Sequence, residues 1–399
     1  MTKTDAFIVV SIGDVHWGAH NPTLLYNEMN NIFLKEVKEA ASTIDLITID
    51  GDYFDKQLAG ADQSYLVAFR FFYNLYSVCV EHNIQLRMLR GTITHDFNQQ
   101  EIFRSFEGDI FKLYDSFVIE EICGKRCLFL PEEYPKNMEE YYQPVFDPEE
   151  KFDVAFLHGT VDFQAWQSQI IESEKHYKSA PVWSSERLGS VVNGPILCGH
   201  IHTHCSFKDK FFYHGSFSRS HYGEETEKGF QMAAIYEDGH EVVFIENILA
   251  PVKKTIKLKD IFDEFGASSN FETVIQKVNE EKALLTGDHD RLRLLIPNSY
   301  NDLAFIRMLV EYYSESKLGV DVQVNTSERI RVDVNQDTAI SEVINESHSS
   351  VTEEIESEID KFFIDGNEIA TIQKFLELKS DRKYTEDQIL SIIAKSKNK

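Results

Sequence analysis

The sequence predicts an α/β fold, and two observations carry that prediction. Apolar runs of strand length recur through the first two-thirds of the chain. Amphipathic stretches with a helical period lie between them, and strand, helix, strand, helix in series implies an α/β domain. The first buried strand is expected at residues 7–12. A helix then presents Leu24, Leu25, Met29, Ile32, Phe33 and Val37, and a second strand follows at 44–49. Residues 64–82, rich in Phe and Tyr, form the next helix, ahead of strands at 84–89, 154–157 and 195–198. A hairpin is expected at 117–122 and 127–130, turning at Gly124. Residues 211–214, 231–236 and 241–245 add β structure, the last two joined at Asp238-Gly239.

Composition changes near Ala250-Pro251, and from there to about residue 334 the pattern predicts a small β-α-β-α-β-β unit. Ser269 and Glu272 form a capping box, after which Phe271, Val274, Ile275 and Val278 share one helix face. Leu303, Ile306, Val310 and Tyr313 mark a second helix, and 291–296 and 320–324 are strand-like. A polar linker follows. Amphipathic helices then carry Val351, Ile355, Ile359 and Phe362 and, after a Thr385/Gln388 capping box, Ile389, Ile392 and Ile393. The expected domains are 1–250, 251–335 and 336–399.

At 399 residues the chain is long enough for two or three domains at roughly 150 residues each. It carries 40 basic and 66 acidic residues, a formal charge of −26. Bulk positive charge therefore does not hold it on nucleic acid, although metal ions and a partner protein could. Five cysteines give no disulfide framework, and Cys123 and Cys127 have no second pair to complete a zinc cage. No run approaches the roughly 18 apolar residues of a membrane span. The apolar run at 6–12 is too short for a signal peptide, so the expected location is the cytoplasm.

Five of the expected strands end in residues that bind hard or borderline metals. These ends are Gly13-Asp14-Val15-His16, Asp50-Gly51-Asp52 with Asp55, Gly91-Thr92-Ile93-Thr94-His95-Asp96, His158-Gly159 and Gly199-His200-Ile201-His202-Thr203-His204. In open α/β sheets, ligands bind beyond the carboxyl ends of the strands. Carboxylates and imidazoles without thiolates suit manganese, iron or zinc. Their number exceeds what one tetrahedral ion needs and fits two ions about 3.5–4 Å apart, which activate a water as hydroxide and clamp a phosphate ester. Each piece alone is ordinary, since Gly-Asp is a common turn and a lone His usually sits in a core or on a surface. Their order and their shared position after strands are what single them out.

In that order the motifs resemble those of calcineurin-like metallophosphoesterases, and more narrowly the SbcD family of DNA-repair nucleases, some of them phage-encoded. Residues 213–219, 223–225 and 228–230 and the hairpin ending in Phe129-Leu130-Pro131 also resemble that family. The resemblance covers about residues 7–247 and reaches the unit after 251 only in outline. It implies a four-layer α/β/β/α sandwich with a small α+β capping domain and C-terminal helices. It further implies a dinuclear metal-dependent DNA phosphodiesterase (exonuclease and endonuclease). Asp14, His16 and His202 would hold one metal, His158 and His200 the other, and Asp52 would bridge them. His95 would assist attack by the metal-bound hydroxide on phosphorus, with Asp96 orienting its imidazole. The cofactors implied are two divalent ions, Mn²⁺ first, with Mg²⁺, Fe²⁺ or Zn²⁺ as alternatives. The partners implied are DNA, a second copy of the chain, and an SbcC-like ATPase whose coiled coil the C-terminal helices would grip.

Two positions depart from the family pattern. Its third motif is Gly-Asn-His-Asp, with the Asn on the second metal. Here either Thr92 or Thr94 takes that place. Asp55 stands where the family often has a His. Trp17 is expected as a wall of the cleft, and His20, His204, His214 and His221 lie near the site without a role. Two rival readings share the scaffold: a phosphatase or small-molecule phosphodiesterase, and a weakly active scaffold subunit for the ATPase.

Overall fold

A computed structural model describes residues 6–324 except 149, 164–181, 266–269, 298–299, 301 and 317–318. The linker and C-terminal helices expected after 335 lie outside the described residues. The strands are β1 (Phe7–Ile12), β2 (Leu46–Asp50), β3 (Gln85–Leu89), β4 (Phe111–Tyr114), β5 (Val118–Ile122), β6 (Lys125–Leu130), β7 (Val154–His158), β8 (Thr160–Val161), β9 (Val182–Trp183), β10 (Ile196–Gly199), β11 (Cys205–Phe207), β12 (Phe211–Tyr213), β13 (Gly229–Ile235), β14 (His240–Glu246), β15 (Lys253–Lys257), β16 (Arg291–Ile296) and β17 (Val320–Val324).

Two six-stranded mixed sheets dominate, in the orders β14-β13-β1-β2-β3-β4 and β11-β12-β10-β7-β6-β5. The period-2 alternation of each strand decides which side it buries. In β1, Phe7 and Val9 join Leu46, Leu89, Phe129, Phe156, Leu197 and Phe212 in an apolar layer between the sheets. Val10 and Ile12 point the other way, onto Leu25, Met29, Phe33, Phe71 and Phe72 of covering helices. The second sheet does the same with Leu128, Leu157 and Ile196 under Tyr142, Val145 and Leu188. The layering is therefore helix, sheet, sheet, helix.

The helix after β1 runs from Pro22–Glu28 through a π-helical turn at Met29–Leu34 into Lys35–Ala40. Helix Gln63–His82 starts where the Asp62 carboxylate accepts the Ser64 N–H, and it stops at Asn83 in the left-handed conformation (φ 56°). Residues 253–324 form a separate parallel sheet, β15-β16-β17, with its own core of Leu258, Ile261, Val274, Leu292, Leu294 and Leu309. In order, its described elements are strand, two helices, strand, helix and strand. The final strand expected before residue 334 lies outside the described residues. The cap of helix Phe271–Ala283 is Asn270, whose side chain accepts the Thr273 N–H at 2.9 Å. Asn270 is as good a cap as the expected Ser269, which lies outside the described residues. This unit touches the sandwich at residues 220–225: Lys253 Nζ donates to Ser220 O at 2.6 Å, and Arg293 lies 4.7 Å over the Tyr222 ring. Among the described residues, no helix is long and apolar enough to cross a membrane.

Candidate metal centre

β1, β2 and β3 run parallel in the first sheet, and β6, β7 and β10 run parallel in the second. Their carboxyl ends therefore gather at one edge of each sheet. The two edges are stitched together by the His158 imidazole, whose Nδ1 lies 2.7 Å from Asp50 O. A carbonyl only accepts, so Nδ1 carries the proton and Nε2 is left for a ligand. The approach is close enough to demand glycine: a Cβ on Gly51, at φ +84°, would meet His158 Nδ1 at 2.2 Å.

Each sequence-predicted ligand arrives at this edge. Asp14, His16 and His202 form one group and Asp52, His158 and His200 a second, with the ligand atoms of each group within 4.8 Å of one another. In the first group the Nε2 atoms of His16 and His202 are 2.9 Å apart. Asp52 lies between the groups: Oδ2 is 3.8 Å from His16 Nε2, and Oδ1 is 3.4 Å from His158 Nε2. Asp14, His16, Asp52 and His200 all have positive φ, at 48°, 53°, 46° and 85°. Such backbone costs on the order of 1–3 kcal/mol per residue and persists only where its surroundings dictate it. Here backbone bonds do so, from Asp14 N to Gly51 O at 3.1 Å and from His16 N to Asp52 O at 3.0 Å. The Asp14 carboxylate in turn accepts the His200 N–H at 2.9 and 3.0 Å.

Burial opposes ionisation of Asp52, but the charge and hydrogen bond of His158 outweigh it and hold the carboxyl far below its usual range. Burial pushes Asp96 up to about 7, and the Asp52 charge adds to the rise. Asp96 does not take the role expected of it. Its carboxylate accepts N–H groups from Phe54 at 2.9 Å and Gly91 at 2.8 Å, and the Gln100 amide at 2.7 Å. It ties the loop carrying Asp52 to the loop carrying His95. The His95 ring is oriented instead by Asp55, whose backbone oxygen accepts from Nδ1 at 2.7 Å. The Asp55 carboxylate lies 3.4 Å from His16 Nδ1. The His95 and His16 ring centroids are 4.9 Å apart, which puts His95 at the rim of the first group.

Trp17 is a second correction. It is fully buried and packs near Tyr53 and Phe71 in the helix-side core, so it lines no cleft. Among the unassigned histidines, His204 stacks on Phe244 at 3.9 Å, and His214 is buried with Nδ1 donating to Gly215 O. His221 is exposed, and burial pushes His20 down to about 3. The sequence reading missed two acids as site residues. Glu224 Oε1 lies 2.6 Å from His202 Nδ1, so it fixes that ring as a carboxylate partner fixes a metal-bound imidazole. Glu132 is buried against the second group, at 3.5 Å from His200 Nδ1 and 3.8 Å from His158 Nε2. Of the two threonines considered for the third motif, Thr92 reaches the group: its N–H donates to Asp52 Oδ1 at 2.6 Å.

No family model matches the chain, and no curated protein matches its sequence. The donor chemistry fits metal. Buried aspartates and imidazoles converge, and His158 and His202 each have Nδ1 committed to an oxygen partner, which leaves Nε2 for an ion.

Proposed function

We propose that this chain is a dinuclear metal-dependent phosphodiesterase acting on DNA, with a metallophosphoesterase fold, and the nuclease subunit of an SbcCD-like repair complex. The observation that carries the reading is the placement of Asp52 between two Asp/His groups with His95 at their rim. Asp14, His16 and His202 would hold one ion and His158 and His200 the other, with Asp52 placed between the two groups. Two divalent ions, manganese first, supply an acidified water and a clamp for phosphate oxygens when bound.

The protein's own residues do the rest. Asp52 stays anionic between the groups. Asp14 and Glu224 fix the backbone of His200 and the ring of His202. The Asp55 carbonyl fixes the His95 tautomer, so Nε2 is the atom that exchanges a proton with the leaving oxygen or steadies the phosphate. A pocket of about 670 Å³ opens beside the centre, lined by Arg90, Lys136, Tyr134 and Tyr141 among others. The same lining carries Glu132, Glu133 and Glu140, so Arg90, Lys136 and the two rings suit a nucleic-acid strand where bound ions offset those acids. On helix Gln63–His82, Leu66, Tyr73 and Val80 are half-exposed at seven-residue spacing, a stripe suited to a second copy of the chain. The ATPase would engage residues 336–399.

The test is hydrolysis of end-labelled duplex and single-stranded DNA with manganese or magnesium, comparing wild type with His95→Ala and Asp52→Ala. Metal-dependent cleavage lost in both variants is the expected result. Cleavage of p-nitrophenyl phosphate esters but not DNA would remove the DNA assignment. Bound metal without hydrolysis of either substrate would leave a scaffold.

A further inference from the structure

Beside the second ligand group lies a carboxylate that neither the motif order nor the resemblance assigns. Glu132 follows β6, is 3 % exposed, and sits at the same sheet edge as His158 because β6 and β7 run parallel. Its N–H donates to Arg90 O at 3.1 Å, which pins it beside the end of β3. Oε2 lies 3.5 Å from His200 Nδ1 and 3.8 Å from His158 Nε2, and it accepts the Thr92 hydroxyl at 3.1 Å. Oε1 accepts the Tyr134 hydroxyl. The Thr92 oxygen is itself 3.4 Å from Asp52 Oδ2, His158 Nε2 and His200 Nδ1. Two carboxylates, two imidazoles and a hydroxyl thus surround one small volume.

The charge around that volume needs explanation. Among the described residues, Glu132 has no Lys or Arg within ion-pair distance, and its ionic neighbours are those two imidazoles. A second buried carboxylate beside Asp52 is costly unless a positive charge lies between them. In the ion-free chain the charge of His158 meets part of that need, and a divalent cation would meet the rest when bound, since carboxylate oxygen is a good ligand for hard cations.

We propose that Glu132 is a ligand of the second ion, completing Asp52, His158 and His200, with Thr92 holding its carboxylate in place. This rests on the two-ion reading of the site. It replaces a neutral amide ligand with an anionic one, so the second ion is held by two carboxylates and is bound more tightly than a threonine hydroxyl alone would allow.

The test is calorimetric titration of the ion-free full chain with MnCl₂, with electron paramagnetic resonance to detect coupling between paired ions. Wild type is compared with Glu132→Gln, Glu132→Ala and Thr92→Val, and melting of the ion-free forms checks that each variant is folded. Wild type is expected to take up two ions. Glu132→Ala should weaken one of them by about 100-fold and remove the coupled signal at one equivalent per site, with the other ion unchanged. Glu132→Gln, which keeps a neutral oxygen, should weaken it by about 10-fold, and Thr92→Val by less. Two ions bound with wild-type affinity in a folded Glu132→Gln chain overturn this inference and leave the two-ion reading standing. Fewer than two ions in wild type overturns both.

Discussion

The two ligand groups are built by the same rule and completed differently. In each, a glycine-flanked acid follows a strand of the first sheet, and at least one histidine from the second sheet meets it. The first group is closed by Asp14, His16 and His202, with Glu224 behind the ring. The second has Asp52, His158 and His200, and Glu132 and Thr92 crowd the space that remains. The first group therefore puts its extra acid behind a ligand, whereas the second puts it among the ligands. The same residue type orients an imidazole in one case and neutralises charge in the other, and distance alone separates the two roles.

The shared residue should show the largest effect. Asp52→Asn is expected to lower manganese-dependent hydrolysis by at least about 10³-fold, because it removes the carboxylate charge that lies between the two groups. It should also lower ion stoichiometry on titration. Undiminished uptake of two ions would mean that the groups are independent. His95→Gln should cost about 10²–10³-fold in rate while leaving ion affinity unchanged, because the ring assists proton transfer from the rim. A parallel loss of affinity would move His95 into the first group. Glu224→Gln should weaken only the first group, by about 10-fold, and calorimetry would show whether the second ion is spared.

The smallest effect on activity is expected from the hairpin that presents Glu132. Its strand β5 carries Glu120, paired with buried Arg87 of β3 at 2.8 Å. Partial burial opposes ionisation of Glu120, but Arg87, Lys112 and Tyr114 together pull it down to about 2. Its folded value lies below the unfolded value of about 4.3. The stabilisation is therefore full above about pH 5 and is lost as pH falls toward about 2. Glu120→Gln should cost on the order of 1–3 kcal/mol at pH 7, by leaving the buried Arg87 charge without its anion although its other hydrogen bonds remain. The gap in Tm between variant and wild type should close as pH drops from about 5 to 2. A gap independent of pH would show that packing, not the ion pair, holds the hairpin.

Much of the frame and most of the centre were legible in the sequence because both follow from periodicity. Apolar runs at 7–12, 84–89 and 154–157 became strands within a residue or two of their expected bounds. The Asp and His residues just beyond them could then be placed on one edge. Glu132 was missed although it obeys the same rule. Pro131-Glu132-Glu133 looks like a solvated turn, and only the parallel pairing of β6 with β7 brings it to the site. Asp96 and Trp17 were misplaced by adjacency: neighbours of ligands in sequence, they point into the interior. Strands β4 and β11, with four and three residues, are too short to show a period. The π-helical turn at Met29–Leu34 leaves no trace in the spacing of apolar residues.

The span of chain that builds the centre has a consequence for synthesis. Its contributors run from Asp14 near the start, through Glu132 and His158, to Glu224. A ribosome-bound fragment ending before about residue 200 holds two of the three ligands of each group and completes neither. Contacts of such long sequence separation form late, and an ion that binds only the assembled donors reports that assembly. Uptake of an ion at this centre would therefore mark chains in which the distant donors have come together.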